Sequence, residues 1–183
     1  YFNDAQVKKL DEILTPQLLG VNESDIISVP IGYKKIIVFN HRPDTYKHFN
    51  HFISLMDKLY EKRKDFQVWI PLLEKPNRDY VFTTKVEDEQ YNKMLQTCCV
   101  GYSPKQKYGG WSVATTDGMR NGVPYVMYDG EYYRELWNEG HFVISDDETI
   151  DAFNRYLDDD NFRNQQSIKG IEHLKTNLIY KDK

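Results

Sequence analysis

Cysteine is scarce in this chain, and the two present, Cys98 and Cys99, are adjacent. A vicinal pair is poorly placed for an ordinary disulfide. No ligand cluster accompanies it, so a metal site built on cysteine is not expected. Both read as small buried apolar residues of a protein kept in a reducing compartment, with the cytoplasm as the expected location. No apolar run reaches membrane-spanning length, and no secretory signal is visible. The chain opens on Tyr1 rather than on methionine, which reads as a piece of a longer protein, so the missing signal excludes little. Neither sign of charge dominates: 24 basic side chains stand against 28 acidic ones. That balance gives no polybasic surface, and neither nucleic acid nor a membrane is expected as a partner of this segment. Also missing are a nucleophile elbow, a Walker loop, a Gly-x-Gly-x-x-Gly fingerprint, internal repeats and low-complexity stretches.

What is abundant is aromatic: 14 Tyr and 9 Phe. Most fall inside apolar runs, where core packing explains them better than a base-stacking platform does. From Lys35 onward the chain alternates strand and helix. Ile36–Phe39, Phe66–Ile70, Tyr80–Thr83, Cys99–Ser103, Tyr125–Tyr128 and Phe142–Ile144 read as strands. Between them, Phe49, Phe52, Ile53, Met56, Leu59 and Tyr60 recur at helical spacing. Short helices are expected around Tyr91–Leu95, up to Met119 and over Glu131–Trp137. Ser145 and Glu148 have capping-box spacing ahead of Ile150, Phe153 and Leu157. A last helix is expected from Asn161 to about Leu178. Ahead of this region, Asp4–Leu14 is helix-like and Ile26–Ile31 reads as a short strand. Alternation of this kind predicts an α/β fold, a Rossmann-like doubly wound parallel sheet. At 183 residues the chain suits one such domain with an appendage.

Ligands of such sheets bind outside the carboxyl ends of the strands, and three features follow predicted strand ends. Arg42 and Lys47 sit at the start of the helix after the first strand, where the helix dipole also favours an anion. Gly109, Gly110, Trp111, Ser112 and Val113 form a glycine-bearing loop leading into a helix N-terminus, whose backbone N–H groups hold phosphate oxygens well. Asp117, in that helix, can accept hydroxyl hydrogen bonds. Together they point to a nucleotide-sugar site. The bland alternatives are a solvated charge pair for Arg42 and Lys47 and an ordinary surface acid for Asp117. His41, His48 and His51 lie close in sequence, but no Cys, Asp or Glu completes a metal-ligand spacing, and no metal is expected.

The order of these landmarks resembles the C-terminal half of GT-B glycosyltransferases. It is most similar to the retaining group that includes sucrose synthases, glycogen synthases and many lipid and polysaccharide glycosyltransferases. Ser28–Gly32 resembles the interdomain segment, Ile36–Lys47 the first strand with its Arg…Lys loop, and Asp88–Ser103 the helix leading into a strand that ends Pro-Ser or similar. Gly110–Val126 resembles the F-G-x-x-x-x-E-A-M-A-x-G-x-P-V-V block. The resemblance implies that Arg42 and Lys47 bind the donor diphosphate. It places Asp117 on the ribose hydroxyls as the second acid of a Glu-x7-Glu motif, and Gly110, Trp111, Ser112 and Val113 near the phosphates and sugar. It further implies sugar transfer from a nucleotide diphosphate sugar, UDP-sugar being the commonest donor, with retention and without a cofactor or metal. Residues 1–32 would be the tail of an N-terminal, acceptor-binding domain and its linker, 33–160 the donor-binding domain and 161–183 a crossover helix. The missing partner domain would leave this segment inactive by itself. Two residues depart from the pattern. The first acid of the motif falls on Gly109, with Lys105 and Lys107 nearby in sequence as substitutes. The glycine usual before the arginine is His41. A non-catalytic GT-B-like module, a sugar-nucleotide epimerase and a receiver- or flavodoxin-like domain are the other readings. The basic end of the first strand argues against a receiver.

Overall fold

The computed structural model describes residues 20–28, 33–84, 87–106 and 112–179. The helix expected at Asp4–Leu14 and the linker segment Pro30-Ile31-Gly32 lie outside these residues. Six strands form one all-parallel sheet: β1 (Lys34–Val38), β2 (Gln67–Trp69), β3 (Val81–Phe82), β4 (Cys98–Ser103), β5 (Tyr125–Tyr128) and β6 (His141–Val143). The helices are α1 (Phe49–Lys62), α2 (Asp88–Leu95), α3 (Val113–Arg120), α4 (Glu131–Leu136), α5 (Asp146–Asp158) and α6 (Asp160–Asn177). Every predicted strand and helix from Lys35 onward is present, with ends shifted by at most three residues. Ile26–Ser28, expected to begin a strand, instead follows a 3-10 turn at Glu23–Asp25. Ile27 hydrogen-bonds to the Arg120 carbonyl at 3.0 Å, tying this segment to the end of α3 rather than to a sheet neighbour.

Strand order is β3-β2-β1-β4-β5-β6. The chain winds outward from β1 in one direction, then returns and winds outward from β4 in the other. Between β1 and β4 the crossovers therefore diverge to opposite faces, and a crevice opens at the carboxyl ends of these two strands.

Side chains alternate across the strands and build two cores. Ile37, Val68, Cys99 and Val126 join Phe52, Leu55 and Leu59 of α1 and Phe153 and Leu157 of α5 in one core, and Val100 joins them where the β1–β4 register is irregular. Ile36, Val38, Trp69, Cys98, Tyr125 and Met127 meet Leu95, Met119, Leu136, Ile171 and Leu174 on the other. Cys98 and Cys99 thus belong to opposite cores, both free and fully buried. Burial pushes the Cys99 thiol up to about 12 and the Cys98 thiol well above its usual value. Strand alternation itself separates the two sulfurs, so the pair packs as apolar residues.

Two helix ends show how local sequence fixes the frame. Helix α3 stops in a Schellman motif, with Val123 N–H on the Gly118 carbonyl and Gly122 N–H on the Met119 carbonyl, both at 3.0 Å. Gly122 supplies the left-handed backbone, φ 78°, that this ending requires. At the start of α5, Ser145 Oγ accepts from Glu148 N–H at 3.3 Å. The Glu148 carboxylate accepts from Ile144 N–H at 2.9 Å, one residue earlier than a standard capping box would place it. No helix among the described residues is long and apolar enough to cross a membrane.

Candidate functional site

The crevice between β1 and β4 is lined by two loops. After β1, Pro43-Asp44-Thr45 turns the chain into α1. Asp44 Oδ1 accepts from Lys47 N–H at 2.9 Å, and the Asp44 carbonyl accepts from Phe49 N–H at 3.2 Å. This is turn chemistry of the Asx type, and it sets the path of the segment that carries both cations. Arg42 projects outward, its side chain 73% exposed, with Asp44 Oδ2 lying 3.6 Å from its Nε. Lys47 turns inward instead. Its Nζ donates to Gln106 Oε1 at 2.5 Å and sits 5.1 Å from the centroid of the Tyr46 ring. Burial, with help from the positive charge of Arg42, draws the Lys47 ammonium below its ordinary pKa, while Asp44 acts the other way.

Facing this arm is the start of α3. Ser112 and Val113 are the N-cap and first residues of the helix, and Val113 is half exposed. Gly109, Gly110 and Trp111 of the predicted site, and Lys107 beside them, lie outside the described residues. The Ser112 hydroxyl does not cap its own helix. It lies 3.1 Å from Nδ1 of His41, while Nε2 of the same ring is 3.0 Å from the Tyr102 carbonyl. A carbonyl only accepts, so Nε2 carries the proton and Nδ1 accepts from the serine. Burial, reinforced by the charge of Lys47, holds His41 neutral with a pKa near about 3. With its hydroxyl turned to His41, Ser112 leaves the first-turn N–H groups of α3 without a bond from its side chain. Those groups and the helix dipole form an anion-attracting end.

Beneath both loops runs a neutral polar floor. Asn40, directly after β1, donates from Nδ2 to the Ala114 carbonyl at 2.7 Å and to the Tyr91 hydroxyl at 3.0 Å. The Tyr125 hydroxyl lies 3.0 Å from Asn40 Oδ1 and 3.1 Å from the Ala114 carbonyl. Tyr125 is fully enclosed, and its ring fills the space over Gly101 and Gly118, where a Cβ at either glycine would overlap it. The floor therefore fixes β1, α2, α3 and β5 to one another. It was not foreseen from the sequence. Asn40 stands at a strand end and could have been flagged for that reason. The fit of Tyr125 against two distant glycines leaves no linear signal.

Asp117 lies in α3, near enough to Tyr91 and Tyr125 to raise their pKa values. Its carboxylate is 3.2 Å from Arg120, which also reaches Asp25 at 3.1 Å. Burial raises the Asp117 pKa and Arg120 opposes the rise. A carboxylate paired on one oxygen retains acceptor sites for hydroxyls. Of the three histidines, His41 is engaged as above, His51 pairs with Asp146 at 2.8 Å, and His48 precedes α1 with a left-handed backbone, φ 49°. Among the described residues, no three His, Cys, Asp or Glu side chains converge as a metal site.

The structure thus places Arg42 and Lys47 in the segment between β1 and α1 and Ser112 and Val113 at the start of α3, the two joined through His41 and Ser112, with Asp117 farther along α3. The sequence matches no family model and no curated protein sequence. Similarity of fold is nevertheless extensive. A variant of Staphylococcus aureus TarM in complex with fondaparinux, alpha-GlcNAc-glycerol and UDP superposes with a TM-score of 0.71 at 17% identity. That match covers 97% of this chain and 40% of TarM. Sucrose-phosphate synthase from Thermosynechococcus elongatus gives 0.68 at 14% identity, covering 96% of this chain and 53% of the synthase. The C-terminal domain of a group 1 glycosyl transferase, LpcC from Francisella tularensis, gives 0.68 at 13% identity, over 88% of this chain and 100% of that one. The chain therefore spans about half, or less, of the full-length proteins it resembles. Its fold is that of one half of a GT-B glycosyltransferase, the half that the LpcC C-terminal domain represents.

Proposed function

We propose that this chain is the donor-binding domain of a retaining glycosyltransferase that takes a hexosyl group from a nucleotide diphosphate sugar, UDP-sugar above all. One observation carries the reading. At the switch point of the sheet, a cationic arm off β1 and the open N-terminus of α3 face one crevice, bonded to each other through His41 and Ser112. A diphosphate fits between an ammonium, a guanidinium and helix N–H groups on charge alone. That UDP is bound in the TarM complex supports the same assignment.

In this reading, breaking the sugar–phosphate bond leaves negative charge on the β-phosphate. Arg42 and Lys47 stabilise that charge more in the transition state than in the ground state, which is the difference that accelerates transfer. Ser112 and Val113 contribute backbone N–H groups together with Gly110 and Trp111, and Asp117 receives the ribose hydroxyls. The acceptor binds on the domain that would complete the enzyme, with residues 1–32 as the tail of that domain and its linker. Residues 161–183 then cross back toward it. This chain by itself binds donor without turnover.

Isothermal titration with UDP, GDP and ADP tests this. Saturable binding of one nucleotide, weakened in both Arg42→Ala and Asp117→Ala, is the expected result. Absence of binding to all three by folded protein would sink it and favour a GT-B-like scaffold module. Asp117 held by Arg120 is the observation on that side.

A further inference from the structure

Gln106 is a buried residue in the segment after β4, 6% exposed. Its backbone N–H donates to the Tyr132 hydroxyl at 2.7 Å. Its side-chain Nε2 donates to the Tyr133 hydroxyl at 3.0 Å, and that hydroxyl donates to the Pro104 carbonyl at 3.1 Å. The remaining end, Oε1, receives Lys47 Nζ. The orientation of the amide follows from its neighbours. An ammonium only donates, so the oxygen must face Lys47, and Tyr133 can accept from Nε2 while giving its own proton to Pro104. A chain of hydrogen bonds thus runs from the fully buried Tyr133, through one amide, to the cation of the crevice.

We propose that Gln106 is a positioning residue: it fixes the Lys47 ammonium at the mouth of the crevice for an oxygen of the donor diphosphate. The inference rests on the donor-binding reading and adds to it a residue with no counterpart in the motifs. An amide suits the task. It accepts one of the three ammonium hydrogens and leaves two for phosphate, whereas a carboxylate in its place would orient the lysine and cancel its charge. It also removes rotamer freedom from a long side chain before the ligand arrives, lowering the entropic cost of binding. Arg42, in the same loop, is instead exposed, with Asp44 Oδ2 3.6 Å from its Nε.

The test is a double-mutant cycle read by isothermal titration with UDP, GDP and ADP, paired with a lysine NMR titration. Gln106→Leu should weaken binding of the preferred nucleotide about tenfold. In a Lys47→Met background the same change should move the dissociation constant by no more than about twofold, because only the positioned charge has been lost. Equal losses in both backgrounds would show a general structural effect and overturn the proposal, as would no loss in the Lys47 background. If Gln106→Leu does not fold, Gln106→Met replaces it. The second readout needs no ligand: Gln106→Glu should raise the Lys47 pKa, followed through its ε-methylene resonances and assigned by their disappearance in Lys47→Met. A pKa that does not move would place the two side chains apart in solution and reject the grip. Failure of the donor reading itself looks different, since wild-type protein would then bind none of the three nucleotides.

Discussion

The rim and the floor of the crevice are made of different chemistry. Along the rim, Arg42 is exposed and Lys47 half-buried, and Asp44 organises the loop that carries them. Under it lie Asn40, His41, Ser112 and Tyr125, all neutral, with hydrogen bonds of 2.7 to 3.1 Å crossing between elements. Charges in contact with water contribute little to folding but act strongly on an anion brought against them. Buried polar groups reverse that balance, because each loses its hydration and is costly once a partner is removed. The two regions should therefore separate under mutation, the rim governing affinity and the floor governing stability.

The largest effect expected is on the rim. Lys47→Met should weaken nucleotide binding about 30- to 100-fold, or about 2–3 kcal/mol, and lower stability by no more than about 1 kcal/mol, through the lost bond to the buried Gln106 amide. Arg42→Met should lose less affinity, about three- to tenfold, because a mobile guanidinium gives back part of its contact energy when ordered. Titration calorimetry and urea unfolding on the same samples check both. A large stability loss in Lys47→Met would break the division between rim and floor.

Next comes the floor. In Gly118→Ala the new methyl group meets the ring and hydroxyl of Tyr125, a rigid side chain only 1% exposed. Overpacking of this kind costs about 1–3 kcal/mol, more than the roughly 1 kcal/mol expected for Tyr125→Phe, which removes only the hydroxyl. Urea midpoints of the two variants decide it. Gly118→Ala at or above wild-type stability would mean that Tyr125 repacks freely.

This contrast also explains what could be read from the sequence. Rim residues announce themselves: Arg42 and Lys47 are charges at a strand-to-helix junction, and Pro43-Asp44 is recognisable turn chemistry. The parallel sheet follows from the spacing of apolar runs, as Tyr125–Tyr128 shows, its predicted bounds unchanged in the structure. The floor depends on residues far apart in the chain, such as Tyr125 against Gly101 and Gly118. Neither the pairing nor the neutral state of His41 has a linear signature. His41 drew notice only as a departure from a glycine or as one of three nearby histidines, and packing gave it a third role. Gln106 carried no signal at all, since its partners come from the turn before α1 and from α4.

A smaller effect distinguishes the floor by pH. His41 is held neutral in the folded protein to about 3, whereas its ordinary value is 6.5. Below about 6.5 the unfolded chain binds a proton that the folded chain refuses, so the stability it confers is complete above that pH. It declines by about 1.4 kcal/mol per unit as pH falls toward 3. His141 and His173, also lowered by burial, add to the slope in wild type and variant alike. Asp57, Asp65, Asp146 and Asp158, lowered by their cationic partners, respond only at more acidic pH. Unfolding free energies at about pH 7, 6 and 5 for wild type and His41→Asn should converge as pH drops. Parallel lines would mean that His41 titrates normally and that the Ser112 contact is open to water.

The smallest expected effect lies where the rim joins α1. His48 has φ 49° and ψ 36° as the N-cap of this helix and gives no side-chain cap bond. For an L-residue the left-handed region costs about 1–2 kcal/mol, although histidine is among the residues found there more often. Gly122, at φ 78°, meets the same demand without a Cβ, and one added there would stand 2.8 Å from Ile27 Cδ1. Glycine at His48 would remove the steric cost but enlarge the unfolded ensemble, an opposing effect of about 0.4–1 kcal/mol. His48→Gly should therefore stabilise the fold by no more than about 1.5 kcal/mol, the difference of those two terms. It should also leave nucleotide affinity within about twofold, because Lys47 stays fixed by its Asp44 backbone bond and by Gln106. Urea unfolding and nucleotide titration on this variant measure the two separately. A clear loss of affinity with unchanged stability would instead show that the strained turn aims Lys47, moving His48 from the frame of the rim into its function.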